Sequence, residues 1–498
     1  MTKPKISNQG VNKKRRAGIL LHPTSLPGRY DNGDMGHEAY RFIEFLNQQG
    51  YKVWQMLPLG PTHDDKSPYQ CLSSHAGNAS LISLDWLIDC GWLDIESVNI
   101  SEKNDVFRKE CLLQAGKTFY KKLDAYWTKE LEKFKHTHDY WLEDYAVFVA
   151  LKQRNNNLPW YQWTLDERRR EKVTIEQAKK DLNTKIEQVI FEQFVFFRQW
   201  HEIRNYAKKH GIDIFGDMPI FVARDSADVW ADKKNFLIDM DGDMEYISGV
   251  PPDAFSETGQ RWGNPLYNWN YMQSNQFHWW KNRFKTQLEL FDMIRVDHFR
   301  GLQASWYIPQ TDETAINGKW VEVPGEEMIE ALYTEFDYLP LVAEDLGVIT
   351  DEVITLKNKF NLPGMKVLQF AFDGNNQNPH LPHAHEINDV VYTGTHDNQT
   401  TLGWIKDTSV YNQTFLSDYS DYHAESEEQA ALNIIRMTLA SVSFLSILPM
   451  QDVLMLGAES RMNTPGTIGG NWQWRFDWSQ VKPDVNQMIS KYMTLYQR

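Results

Sequence analysis

Eight short apolar runs, each broken by Gly, Pro or polar signals, constrain this chain more than any other feature. They are AGILLHP (17–23), YKVWQMLPLG (51–60), IDIFGDMPIFV (212–222), FDMIRVDHFRG (291–301), YLPLVAEDLG (338–347), GMKVLQFAFDG (364–374), DVVYTGTHDN (389–398) and SFLSILPMQDVLM (443–455). Near-continuous apolar runs of this length fit strands buried on both faces, as in a parallel sheet. Several are preceded by segments with apolar residues at helical spacing. HEAYRFIEFLNQQG ends at Gly50, a natural helix stop, and DEVITLKNKFNLPG does the same before the sixth run. Strand and helix alternating about eight times predicts an α/β fold, a (β/α)8 TIM barrel.

The spacing of the runs is uneven. About 150 residues separate the second from the third, and most of them read as charged and helical. EDYAVFVALKQR is one amphipathic pattern; VTIEQAKKDLNTKIEQVIFEQFVFFRQWHEIRNYAKKHG is a second, closing at Gly211. Residues 61–205 are therefore read as a mostly helical subdomain inserted into a barrel formed by 17–60 and 206–498. A second, more irregular insertion is expected at 223–290, including a cleft-covering loop at 249–266. Residues 1–16 read as a disordered basic tail. Nothing remains after the eighth run for a separate C-terminal β-domain.

Composition narrows the function classes. The formal net charge of −15 disfavours nucleic acid and anionic membrane surfaces as partners. No apolar stretch is long enough to span a bilayer, and the basic start has no signal-peptide core behind it. The three cysteines, Cys71, Cys90 and Cys111, are too few and too sparse for a disulfide framework, which suits the cytoplasm. The 19 Trp, 22 Tyr and 25 Phe are more telling, because many sit among Gly, Asn, Gln and Arg, as in SPYQ, QRWGNPLYNWNY and GNWQWRFDW. Such rings suit platforms for the apolar face of a sugar, although covering the core is the better reading for any single Trp.

The chemistry concentrates where the runs end, the face on which such barrels carry their sites. Run three ends near Asp217, run four at Asp297, run five at Glu344 and run seven at Asp397. One acid at a strand end is usually a cap or turn residue; four of them, with Arg295 and His396 alongside, are harder to explain as solvated surface. Glycoside cleavage needs two carboxyl groups whose environments push their pKa values apart. In MIRVDHFRG, strand alternation puts Arg295, Asp297 and Phe299 on one face and Ile294, Val296 and His298 on the other. Arg295 should then hold Asp297 anionic, as nucleophile. Glu344, flanked by Val342, Ala343 and Leu346, is the better proton carrier. Asp217, His396 and Asp397 would bind hydroxyls and stabilise the transition state.

These residues resemble the 4-α-glucanotransferases (amylomaltases, disproportionating enzymes) of glycoside hydrolase family 77, relatives of the α-amylases. The likeness runs from GILLHPTSLPG to GNWQWR, and its most specific parts are GVPPDAFSETGQRWGNPLYNW, IRVDHFRG, VAEDLG and TGTHDN. It implies Asp297 as nucleophile, Glu344 as acid/base and Asp397 as transition-state stabiliser. It implies that Tyr69, Asp217, Arg295, His298, Phe370, Asp373, His396 and Asn471 line the donor sugar site. Gln260 and Trp262 would sit on a loop over the cleft, a lid that with Phe255 and Tyr267 excludes water. The expected activity is transfer of an α-1,4-glucan segment to an acceptor glucose or malto-oligosaccharide, retaining, with the two carboxyls about 5–5.5 Å apart. No cofactor and no metal is implied.

Rival readings are a hydrolase on the same barrel, a metal-dependent barrel hydrolase and a glycan-binding protein. DMDGDME (239–245) lacks the spacing of a calcium loop and reads as a turn between two short strands. HLPHAHE (380–386) fits no zinc pattern and reads as a polar surface loop. His22 is left unassigned.

Overall fold

A computed structural model describes residues 14–30, 32–97, 104–252, 256–467 and 469–498. Its strands, in chain order, are β1 (Arg16–Leu20), β2 (Val53–Gln55), β3 (Asp213–Met218), β4 (Tyr246–Val250), β5 (Gln260–Pro265), β6 (Met293–Val296), β7 (Ala304–Pro309), β8 (Lys319–Glu322), β9 (Leu341–Ala343), β10 (Gly364–Val367), β11 (Asp389–Tyr392) and β12 (Leu445–Pro449). All eight apolar runs supply strands of one parallel sheet, ordered β10-β11-β12-β1-β2-β3-β6-β9. Its ends meet. The Ala343 N–H donates to the Pro363 carbonyl at 2.8 Å, and the Met365 N–H donates to Asp345 Oδ1 at 2.7 Å. β9 and β10 are thus joined by one backbone and one side-chain bond, and the sheet closes into the expected barrel.

The helices form where apolar spacing and end signals agree. His37–Gln49 buries Ala39, Phe42, Ile43, Phe45 and Leu46, then stops at Gly50, whose φ of +93° suits glycine. Asp351–Lys359 buries Val353 and Leu356, and the chain turns at Asn361 (φ +51°) before β10. Between β2 and β3 lie the helices Leu84–Asp89, Asp105–Lys121, Ala125–Thr137, Leu142–Arg154, Leu165–Arg168, Lys172–Asp181 and Asn183–Lys209. The long pattern ending at Gly211 is therefore two helices. It breaks around Leu182, where Asp181, Asn183 and Thr184 offer side chains that compete for backbone bonds. Gln193 and Gln199 on the last helix each clasp both backbone groups of one residue, Gly77 and Ser83, at 2.8–3.2 Å. Trp200 donates to the Leu290 carbonyl at 3.0 Å, docking that helix beside the start of β6.

Four expectations change. The stretch 223–290 contains β4 and β5, which join β7 and β8 in a four-stranded antiparallel sheet ordered β5-β4-β7-β8. Residues 1–13 of the expected tail lie outside the described residues, whereas Arg16 begins β1 and pairs with Asp213, and Arg15 donates to the Ser441 carbonyl at 2.6 Å. The histidine loop is built into the molecule: His380 Nδ1 accepts the Val367 N–H at 3.2 Å, and buried His385 bridges the His380 carbonyl and Ser441 Oγ. DMDGDME is a turn, organised by Asp239 Oδ1 accepting the N–H groups of Asp241 and Asp243, with a strand only on its C-terminal side. No helix among the described residues is long and apolar enough to cross a membrane.

Candidate active site

The site begins with the register of two neighbouring strands. Asp217 of β3 is paired directly with Arg295 of β6. Arg295 Nη1 lies 2.9 and 2.7 Å from the two Asp217 oxygens and 2.8 Å from Asp297 Oδ1. A buried guanidinium left with no carboxylate partner would cost about 3–5 kcal/mol, so Arg295 needs at least one of these two acids beside it. Its members are not equivalent. The side chains of Arg295 and Asp217 are 7% and 1% exposed, and that of Asp297 is 27% exposed. Asp217 is the structural counter-charge; Asp297 is the carboxylate a ligand can reach. Tyr69 donates its hydroxyl to Asp217 Oδ2 at 2.7 Å and stacks on His396, centroids 5.2 Å apart at 14°.

Beyond Val296 the strand alternation expected for MIRVDHFRG ends. His298 is left-handed (φ +51°, ψ +53°), and Phe299–Leu302 turns into a 3-10 helix. The twist lays the His298 ring edge-on against Trp262, 4.9 Å between centroids. It also aims the His298 N–H at Glu344 Oε2, 2.7 Å away. Glu344 Oε1 accepts the Leu346 N–H at 3.0 Å, and the Glu344 N–H donates to the Val296 carbonyl. Burial pushes the Glu344 carboxyl up to about 7, helped by Asp297 and opposed by Arg295 and the two backbone donors. Each oxygen keeps a second lone-pair direction for the proton. Burial also pushes the His298 imidazole down to about 4, and its Nε2 has no protein hydrogen-bond partner.

Asp397 comes from a different setting. It lies five residues beyond β11, in a loop rather than at a strand end. Asn463 Nδ2 donates to its Oδ1 at 2.7 Å, Arg461 donates to its carbonyl at 2.5 Å, and His396 Nε2 is 3.3 Å from the same Oδ1. Trp472 (φ +64°) adds a ring 5.9 Å from both Tyr69 and His396.

The remaining expected residues divide. Gln260 and Trp262 are on β5, an edge strand, not a loop, and Gln260 Oε1 accepts the Trp262 indole N–H at 3.0 Å. Tyr267 does not belong to a lid: it is 1% exposed and donates to the Ile220 carbonyl. Phe255 lies outside the described residues. Phe370 is half-buried on the cluster that includes Leu346, Trp472 and Trp474. Asp373 is exposed and caps its own loop, accepting the Asn375 N–H and Asn378 Nδ2. Asn471 ties its loop together, accepting the Thr464 N–H and donating to Thr467. His22 is buried behind His396, and burial pushes it down to about 3. Asn463 and Arg461 escaped the sequence reading, whereas Trp472 belongs to the aromatic stretch GNWQWRFDW. The only signal for them was the Gly/Pro-rich stretch RMNTPGTIGGNW after the last strand.

The chain is similar to known proteins along nearly its whole length. The family profile described as 4-alpha-glucanotransferase matches residues 21–480. The 4-alpha-glucanotransferase of Thermus thermophilus is 44% identical over 481 residues, covering 94% of this chain and 96% of that protein. The chloroplastic/amyloplastic 4-alpha-glucanotransferase of Solanum tuberosum is 43% identical over 480 residues, covering 93% and 82%. The amylomaltase of Streptococcus agalactiae, solved in complex with acarbose, superposes with a TM-score of 0.93 at 36% identity, covering 97% of this chain and 100% of that one. A second amylomaltase, from Corynebacterium glutamicum, shares the fold with a TM-score of 0.79 at 17% identity. With Asp297, Glu344 and Asp397 on the motifs that first suggested the likeness, the chain belongs to glycoside hydrolase family 77, the 4-α-glucanotransferases.

Proposed function

We propose that this chain moves a segment of an α-1,4-glucan to the 4-OH of an acceptor glucose or malto-oligosaccharide by a retaining double displacement. In the first step an Asp297 oxygen attacks the anomeric carbon while the glycosidic bond breaks, and Glu344 gives its proton to the departing 4-oxygen. In the second, the acceptor 4-OH attacks the same carbon, Glu344 takes its proton, and the Asp297 ester is released. Asp397, with His396, holds sugar hydroxyls as the ring flattens. The observation that carries this reading is the pair of unlike carboxyls: Asp297 on Arg295 at 2.8 Å, and half-buried Glu344 held at about 7. Incubation with pure maltotriose tests it. Transfer gives glucose together with longer chains; a hydrolase on the same barrel gives only shorter products. The sparse cysteines, Cys71, Cys90 and Cys111 in a chain of 498 residues, support a reducing compartment such as the cytoplasm.

Transfer requires that water be kept from the intermediate while an acceptor binds. Trp262 supports that role, packed on His298 beside Glu344. Its strand is braced from below, since Ala315 N–H holds the Thr258 carbonyl at 3.0 Å. Trp262→Ala is expected to lower transfer about 2- to 10-fold, the scale of one lost ring contact of about 0.5–1.5 kcal/mol, with cleavage changed much less. Equal loss of both, measured from glucose and longer chains released, would remove Trp262 from this role.

The acid step also sets a pH limit. Glu344 must carry its proton, and with a pKa of about 7 its protonated fraction falls as pH rises through that value. The alkaline limb of kcat/KM for maltotriose should therefore bend near pH 7, falling about tenfold per pH unit beyond it. A limb centred near the ordinary glutamate value of about 4.3 would contradict the assignment.

A further inference from the structure

The loop that carries His396 and Asp397 is anchored by a carboxylate the reaction does not use. Asp452 stands in the short helix Met450–Val453 that follows β12, and it is 2% exposed. Its Oδ2 accepts the hydroxyls of Thr393 at 2.5 Å and Thr401 at 2.7 Å; its Oδ1 accepts the Thr401 N–H at 2.7 Å. Thr393 is the first residue past β11, and Thr401 opens the helix Thr401–Asp407. One buried side chain therefore fastens both ends of the stretch that includes Gly394, His396 and Asp397.

All three donors to Asp452 are neutral. Burying a carboxylate without a cation is costly, and three charge-assisted bonds are the compensation. A role in core stability alone would be met more cheaply by an apolar side chain. What the carboxylate adds is a fixed distance between the ends of the loop. Inside the loop the geometry is defined as well. Asn398 Oδ1 accepts the Thr395 N–H and hydroxyl at 2.8 and 2.9 Å, and Gln369 Nε2 holds the Gln399 carbonyl at 2.9 Å. The far side of Asp397 is held by Asn463.

We infer that Asp452 is a positioning residue for Asp397 and His396, clamping the two ends of their loop so that the Asp397 carboxylate meets the sugar at a set distance and angle. The inference rests on the proposed role of Asp397. Displacement of such a group by about 1 Å costs about 10²-fold in rate. A loop that is loosened rather than removed still binds substrate through the opposite side of the site, where Asp297 stands.

The test is a double-mutant cycle in the full chain with maltotriose. Asp452→Asn keeps the shape and still accepts the Thr401 N–H, but turns one acceptor into a donor. It should lower kcat about 10²-fold while KM stays within a few-fold. Thr393→Val removes a single bond and should lower kcat less, with a melting temperature near that of the parent. Introduced into Asp397→Asn, Asp452→Asn should have little further effect, because the group it positions is already disabled. Full additivity of the two losses, or an unchanged kcat in both Asp452→Asn and Thr393→Val, overturns the inference. An active Asp397→Asn enzyme would instead overturn the role of Asp397, a separate result read from a separate variant. If Asp452→Asn does not fold, the cycle is run with Thr393→Val, whose loss of kcat must likewise vanish in the Asp397→Asn background.

Discussion

Asp297→Asn is expected to reduce kcat for maltotriose by about 10⁴- to 10⁶-fold, the scale on which loss of a covalent nucleophile is felt. The amide matches the carboxylate in shape but cannot form the glycosyl ester. The fold should tolerate the change, because the buried Arg295 keeps both bonds to Asp217, its fully buried partner. The melting temperature therefore separates chemistry from damage: a nearly unchanged transition with lost turnover supports the role, and substantial residual transfer refutes it. The answer also settles what the Arg-Asp cluster at the end of β6 is for. If Asp297 were only a strand-closing counter-charge, its loss would register in stability before it registered in rate.

Glu344→Gln should lower turnover of maltotriose by about 10²- to 10⁴-fold, the usual worth of a placed acid/base. Here the leaving group discriminates. A malto-oligosaccharide bearing a nitrophenol departs without a proton, so the first displacement proceeds, and the second stalls for want of a base. The expected result is a burst of nitrophenol close to one per enzyme and an added glycan mass on the intact protein. A Glu344→Gln enzyme that is equally slow in releasing nitrophenol, with no adduct, would show that Glu344 is not the proton carrier. Oligosaccharide binding should survive, because the Gln carbonyl oxygen still accepts one of the two backbone donors, His298 or Leu346, and water can meet the other.

The barrel could be read from the chain because strands buried on both faces leave uninterrupted apolar runs, and each run stops where its side chains meet the cleft. The acids were legible for the same reason: Asp217, Asp297 and Glu344 interrupt such runs. Asp397 was found by type but misplaced, since its loop extends five residues past β11 before reaching the site. The four-stranded sheet was hidden. YISGV, QRWGNP and KWVE are short and mix small and polar residues, and the sheet depends on pairing YISGV with a strand whose partner residues, such as Tyr246 and Pro309, are far apart in the chain. Asp452 was invisible in SILPMQDVLM, where one acid after a Pro reads as an ordinary helix start. The left-handed turn at His298 had no signal either; it is imposed by what surrounds it, as backbone strain near sites commonly is. The aromatic-rich loops gave a mixed outcome, with Trp262 and Trp472 beside the site but Tyr267 in the core.

The closing joint of the barrel lies between β9 and β10, where Asp345 stands in for a missing rung. Glu344 is the residue just before it, while Asp397 belongs to the stave beyond β10. Glu344 and Asp397 are therefore carried on opposite lips of that join. Any widening of the cylinder at that join would alter the gap between them, so the bond from Asp345 to Met365 bears on how far apart the two acids stand.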